Sequence, residues 1–231
     1  MKRIKYIDCI MTTPLQQLEA AIQNDAASRA FVRSLRWHEG FRCPDCGHQE
    51  GHEVVDGRFW ACSAHGCRYR SCLRVGTFLE GSRKPIRLWL MALFAFLRAD
   101  KGITAPQLVD ELNGRITLPT AWDWLRRFRL VLHTDTRLRC FSFQLRPKKR
   151  QKTHACAGPP SHRSAISWVR SGRLLGKKAD AFSDWLLDVY VGRVSSKYLE
   201  SYWLEFQFRA ACTPVLRPKR FFECVRRGGG S

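Results

Sequence analysis

Apolar positions recur at helical spacing near the start of the chain. Leu15, Leu18, Ala21 and Ile22 fall on one face behind Thr13 and Pro14, predicting a helix capped by Thr13. Asp25 is expected to cap a second helix with Ala30, Phe31, Leu35 and Trp37 as its apolar content. The period is lost over 41–77, where Cys, Gly and His accumulate; Val54, Val55, Phe59 and Trp60 around Asp56-Gly57 read as a small hairpin. Helical spacing returns with Leu88, Leu90, Leu93, Phe94 and Leu97. Thr104 and Gln107 form a capping box ahead of Leu108, Val109 and Leu112, and Asn113-Gly114 supplies a turn. Thr117 or Thr120 then caps a third helix carrying Trp122, Leu125, Phe128 and Leu132. After a proline-containing stretch the pattern resumes from Ala179 to Ala210, with Asp180, Asp184 and Asp188 opposite Phe182, Trp185 and Leu186. No internal repeat is visible. The expected fold is mainly α with a small β insertion.

Composition narrows the class. In 231 residues, 40 Lys and Arg stand against 20 Asp and Glu, a formal charge of +20 that makes nucleic acid the first partner to consider. Eight Trp and fourteen Phe argue against wholesale disorder. The longest apolar run, Leu88 to Leu97, is too short to span a bilayer, and Asp8, Thr12, Thr13 and Pro14 interrupt any leader-like stretch. A cytoplasmic, nucleoid-associated protein without a membrane partner is expected. In that compartment the ten cysteines suggest metal ligands before disulfides.

Cys43-Pro-Asp-Cys46-Gly47 is followed, fifteen residues on, by Cys62-Ser-Ala-His-Gly-Cys67. A C-x-x-C turn aims two thiolates at one point, and a second pair completes the tetrahedron that zinc prefers. This is the plan of a zinc ribbon, with Cys43, Cys46, Cys62 and Cys67 as ligands and His65 or Cys72 as substitutes in the looser second knuckle. Four protein ligands leave no open position, so the zinc is expected to be structural.

The helical stretch reads as a helix-turn-helix. Arg126, Arg127 and Arg129 fall off the apolar stripe of its third helix, where phosphates can be reached, while Thr120 sits near its start, where base edges are met. Lys148, Lys149 and Arg150 lie in a strongly basic segment further on.

Arg36-Trp37, Glu39-Gly-Phe-Arg-Cys-Pro-Asp-Cys-Gly47, Cys67-Arg-Tyr-Arg70, Gly76-Thr77, Gly81-Ser82, Pro85 and Trp89 together resemble the N-terminal part of zinc-ribbon, DDE-type insertion-sequence transposases of the ISXO-like group. Near the C-terminus Val194-Ser195, Lys197, Leu199, Tyr202, Glu205-Phe206 and Phe208-Arg209 are similar to the closing helix of that group. The resemblance implies double-stranded DNA at element ends as partner, and an RNase H-like domain whose acidic residues hold Mg²⁺. The expected acids are missing: residues 137–178 contain no Asp or Glu and twelve Lys and Arg. That stretch is either a basic arm or degenerate sequence, and a complete RNase H-like core is not expected. An active enzyme would have to draw on Asp184, Asp188 and Glu205, with Mg²⁺ as cofactor.

The resulting division is 1–40 N-terminal helices, 41–77 zinc ribbon, 78–133 helix-turn-helix-like region, 134–178 basic linker, 179–227 C-terminal helices and 228–231 a linker-like tail. The function expected is that of a transposase-derived DNA-binding protein without strand-transfer activity; an active transposase and a ribbon that contacts protein or RNA are the alternatives. A homo-oligomer is compatible with each.

Overall fold

The computed structural model describes residues 13–55, 57, 59–135, 177–191 and 194–228. Lys148, Lys149 and Arg150 lie outside the described residues. Among those described, helices predominate and one small three-stranded antiparallel sheet is embedded between the second and third, as the patterning predicts.

Helix α1 (Pro14–Ala21) starts at the expected cap, which the structure completes into a box: Thr13 accepts from the backbone of Gln16, whose side chain accepts from the backbone of Thr13. Helix α2 (Asp25–Arg36) is capped by Asn24, not Asp25, through a 2.8 Å bond from the Ala27 amide, and Asp25 occupies the first turn. Val32 and Leu35 are buried, whereas Ala30 is exposed. Buried Ser28 donates to the Ala21 carbonyl at 2.7 Å, so the end of α1 is closed by a side chain of α2.

The sheet comprises β1 (Gly51–Val54), β2 (Phe59–Cys62) and β3 (Arg70–Cys72) in sequential order. Gly51 pairs with Cys62 and Val54 with Phe59; Phe59 also pairs with Cys72.

Helix α3 (Ile86–Arg98) is apolar nearly all round, which suits only a surrounded position. Its neighbours are α1, α2, α4 (Ala105–Glu111) and α5 (Leu118–Leu132). The capping box of Thr104 and Gln107 forms, and Asn113 and Gly114 both take positive φ in the turn before α5. Thr117 occupies the cap position of α5, its hydroxyl 2.9 Å from that of Thr120.

The buried face of α5 differs from the expected stripe. Ala121, Trp124, Leu125, Phe128 and Leu132 are buried, and Trp122 is 44% exposed. Residues 122 and 124 point to nearly opposite sides of a helix, and Trp124 is the one that stacks on Trp89, with ring centroids 4.0 Å apart.

After the undescribed stretch come α6 (Lys177–Tyr190), a short 3-10 turn (Ser196–Tyr198), α7 (Leu199–Ala211) and α8 (Arg217–Gly228). Gly228, expected in a tail, therefore closes a helix. Leu204 and Phe208 of α7 and Phe221 and Phe222 of α8 enter the same core as Leu18, Val32, Trp89, Phe96 and Phe128. Phe222 meets Phe31 edge-on at 5.3 Å. A second cluster, including Phe182, Leu186, Tyr190, Tyr202 and Trp203, joins α6 to α7.

Candidate metal centre and candidate nucleic-acid face

Cys43 and Cys46 are aimed by the loop before β1. The Gly47 amide donates to the Cys43 carbonyl at 2.9 Å and the Cys43 amide to that of His48 at 2.8 Å, a tight return for which Gly47 takes φ +75°. Cys62 ends β2, and Cys67 is brought back by its 3.1 Å amide bond to Ala64, with Gly66 at φ +80°. The two knuckles thus face one another across the end of the sheet.

All four sulfurs lie within 4.8 Å of one another. Cys43 Sγ is 3.7 Å from Cys67 Sγ, and Cys46 Sγ is 3.6 Å from Cys62 Sγ. A tetrahedron of thiolates around zinc at about 2.3 Å has edges of about 3.8 Å, so this donor set fits one such ion. His65 is exposed and neither it nor Cys72 joins the group, so the looser second knuckle uses its own two cysteines. The site is closed by four protein donors and offers no coordination position for chemistry.

The electrostatics suit a cation. Burial raises the Cys43 thiol, but the Cys46 and Asp45 amides and the neighbouring thiols outweigh it and bring it down to about 7. Cys62 is pushed up to about 12, first by burial and then by its cysteine neighbours, against the Ala64 amide. Cys67 is raised as well, burial and the Cys46 and Cys43 thiols overcoming the Tyr69 amide. Four sulfurs this close cannot all ionise without a positive charge between them.

The ribbon is docked on α2. Arg33 pairs with Glu53 at 2.7 Å and lies 4.6 Å above the Trp60 ring. Arg36 donates to Ser71 Oγ at 2.7 Å and to the Cys72 carbonyl. Trp37, Phe41 and Trp60 pack between helix and ribbon. Sequence reading found the ligands but not these clamps, because Arg33 and Arg36 look like any helical surface arginines until the sheet is placed beside them.

The residues expected to meet DNA divide. Arg126 is half-exposed and, among the described residues, is bonded to Asp123 at 3.2 Å. Arg127 holds Asp123 at 2.8 Å and also donates to the carbonyls of Phe78 and Glu80, so it clamps the 78–81 loop onto α5. Arg129, expected as a phosphate contact, is 2% exposed. It donates to Glu205 at 2.6 Å and to the Tyr190 hydroxyl at 3.1 Å, and covers the Tyr202 ring at 4.0 Å. It sits four residues after Leu125 and three before Leu132, on the buried stripe, and cannot reach a phosphate. Thr120 is half-buried beside Thr117.

The acids behind residue 179 separate likewise. Asp180, Asp184 and Asp188 line the exposed face of α6, Asp188 pairing with Lys101 at 2.8 Å. Glu205 is fully buried, one oxygen bonded to Arg129 and the other to Arg209 at 2.8 Å. Among the described residues, the four cysteines are the group of metal-ligating side chains close enough to share an ion.

Residues 23–70 match the family model described as the transposase zinc-ribbon domain. The matched stretch runs from just before α2 to the start of β3, so it takes in the helix and the ribbon it carries. No curated protein and no solved structure matches the chain. Among the described residues, no helix is long and apolar enough to cross a membrane.

Proposed function

We propose that this is a transposase-derived DNA-binding protein in which a structural zinc ion braces the ribbon against α2. The unit formed by α4, the Asn113-Gly114 turn and α5 recognises double-stranded DNA at the ends of an insertion sequence. The reading is carried by one coincidence: the four converging sulfurs lie within the stretch that matches the transposase zinc-ribbon family. The +20 charge and the exposed Arg126 support a polyanionic partner.

Strand transfer is not part of the proposal. Of the acids that such an activity would need, Glu205 has both oxygens engaged by guanidinium groups in a site without water access. A carboxylate held this way acts as a structural counter-ion, and among the described residues it shares no metal-ligating group.

The test is fluorescence anisotropy with a duplex carrying the element end and with its scrambled counterpart, at rising salt. Binding that retains preference for the matched duplex at moderate salt is expected. Equal affinity for both would remove the recognition function, and strand-transfer product with Mg²⁺ or Mn²⁺ would replace it with the enzymatic alternative.

A further inference from the structure

A cleft of about 640 Å³ opens between the ribbon and the helical body, lined by Asp25 and Arg29 of α2, Gly57 and Phe59 of the hairpin, and Arg74 and Arg83 of the loop leading to α3. Three of its lining residues are cationic and one is anionic. Arg74 is committed to holding the loop, donating to the Ser82 carbonyl. Arg83 is exposed at the rim. Arg29 is different: its Nε is buried and, among the described residues, has no hydrogen-bond partner.

That nitrogen lies where the hairpin turns. A Cβ on Gly57 would stand 2.4 Å from Arg29 Nε, and Gly57 has φ +75°. The tip of the ribbon is therefore shaped to let the guanidinium lie against it. A guanidinium N–H buried without an acceptor is costly, and such groups in folded proteins call for an explanation. The Nε is sealed against the ribbon tip, but Arg29 as a whole is only half-buried in the wall of the cleft, where the planar fork of a guanidinium matches a phosphate.

We propose that this cleft is a second DNA contact, separate from α5, in which Arg29 and Arg83 hold a backbone phosphodiester of the duplex. The inference rests on the DNA-binding reading above. Its role is positional: a phosphate contact at the junction of ribbon and helices sets the orientation of the protein on the duplex without reading sequence. It gives the ribbon a direct part in binding, and the cleft exists only while the ribbon is docked.

The experiment uses the full chain and labelled duplex between about 50 and 200 mM salt. Arg29→Gln and Arg83→Gln are each expected to weaken binding about tenfold, equally for matched and scrambled duplexes, and to make the salt dependence shallower by about one unit of slope. Arg83→Gln is the control for folding, since its side chain is exposed; its metal content and melting temperature are expected to equal those of the wild type. Wild-type affinity and slope in both variants would overturn the cleft while leaving the DNA-binding reading intact. A loss confined to the matched duplex would also overturn it, as would inorganic phosphate that binds the wild type but not Arg29→Gln while duplex binding is unchanged. Absence of duplex binding by the wild type would overturn the parent reading and the cleft together.

Discussion

Arg129 Nε and Glu205 Oε2 stand 2.6 Å apart in the interior, although 76 residues separate them in the chain. The pair joins α5, the helix proposed to lie on DNA, to α7 of the C-terminal segment. Arg209 shares the same carboxylate, and the Tyr190 hydroxyl lies within 3.3 Å of both of its oxygens. Buried ion pairs of this type add little net stability when intact, yet leaving one partner alone is expensive.

Removing the carboxylate should therefore be severe. Glu205→Gln is expected to lower unfolding free energy by roughly 3–5 kcal/mol, as is Arg129→Met. Arg129→Lys should rescue only part of it, since an ammonium cannot bond the carboxylate and Tyr190 while covering the Tyr202 ring. Urea titrations of the purified variants measure this, and a loss below about 1 kcal/mol for Glu205→Gln would show the network to be dispensable.

The same pair sets an acid response. Burial raises the Glu205 carboxyl, but Arg129 and Arg209 outweigh it and hold the group below its ordinary value. A depressed native value means that the carboxylate contributes stability above the unfolded-state value of about 4.3 and loses it as pH falls through the lower native one. The wild type should thus lose stability steadily below about pH 5, and Glu205→Gln should show a shallower decline. Thermal melts from pH 7 to pH 3 distinguish the two slopes.

Two neighbouring tryptophans should behave in opposite ways. Trp124 is buried against Trp89, so Trp124→Ala should cost roughly 3–5 kcal/mol. Trp122 is nearly half exposed and lies off the buried face, and Trp122→Ala should change stability by less than about 0.5 kcal/mol. Comparable destabilisation by both would place α5 in the wrong rotation.

The metal prediction is independent of DNA. Purified protein should contain about one zinc per chain, lost in Cys43→Ser or Cys62→Ser and kept in Cys72→Ser. Elemental analysis reads this directly. A strong chelator should lower the melting temperature, and acidification should release the ion, because protons compete for the thiolates.

The ligand set was readable in advance because the C-x-x-C of the first knuckle, its following Gly47 and the spacing to Cys62 and Cys67 are local properties. The cap at Thr13 and the capping box at Thr104 were legible for the same reason. Arg129 was not. The stripe of Trp122, Leu125, Phe128 and Leu132 leaves it off the apolar face, and a buried charged residue makes sense only with Glu205 opposite, a pairing made by tertiary packing. The clamps of Arg33, Arg36 and Arg127 were hidden for the same cause: their acceptors are backbone carbonyls and side chains of elements far along the chain or folded back from it.

Helix α3 ends among carbonyls that no residue of its own turn can satisfy. Arg209 donates to those of Phe96 and Ala99 at 3.0 and 2.6 Å, and Arg217 adds a 2.8 Å bond to Ala99. The negative pole of the central helix is thus plugged by side chains from the last quarter of the polypeptide. A gene fragment ending at α5 would leave that pole bare and the neighbouring phenylalanines wet. What resembles a leftover of a lost catalytic domain is the keystone that lets the remainder stand.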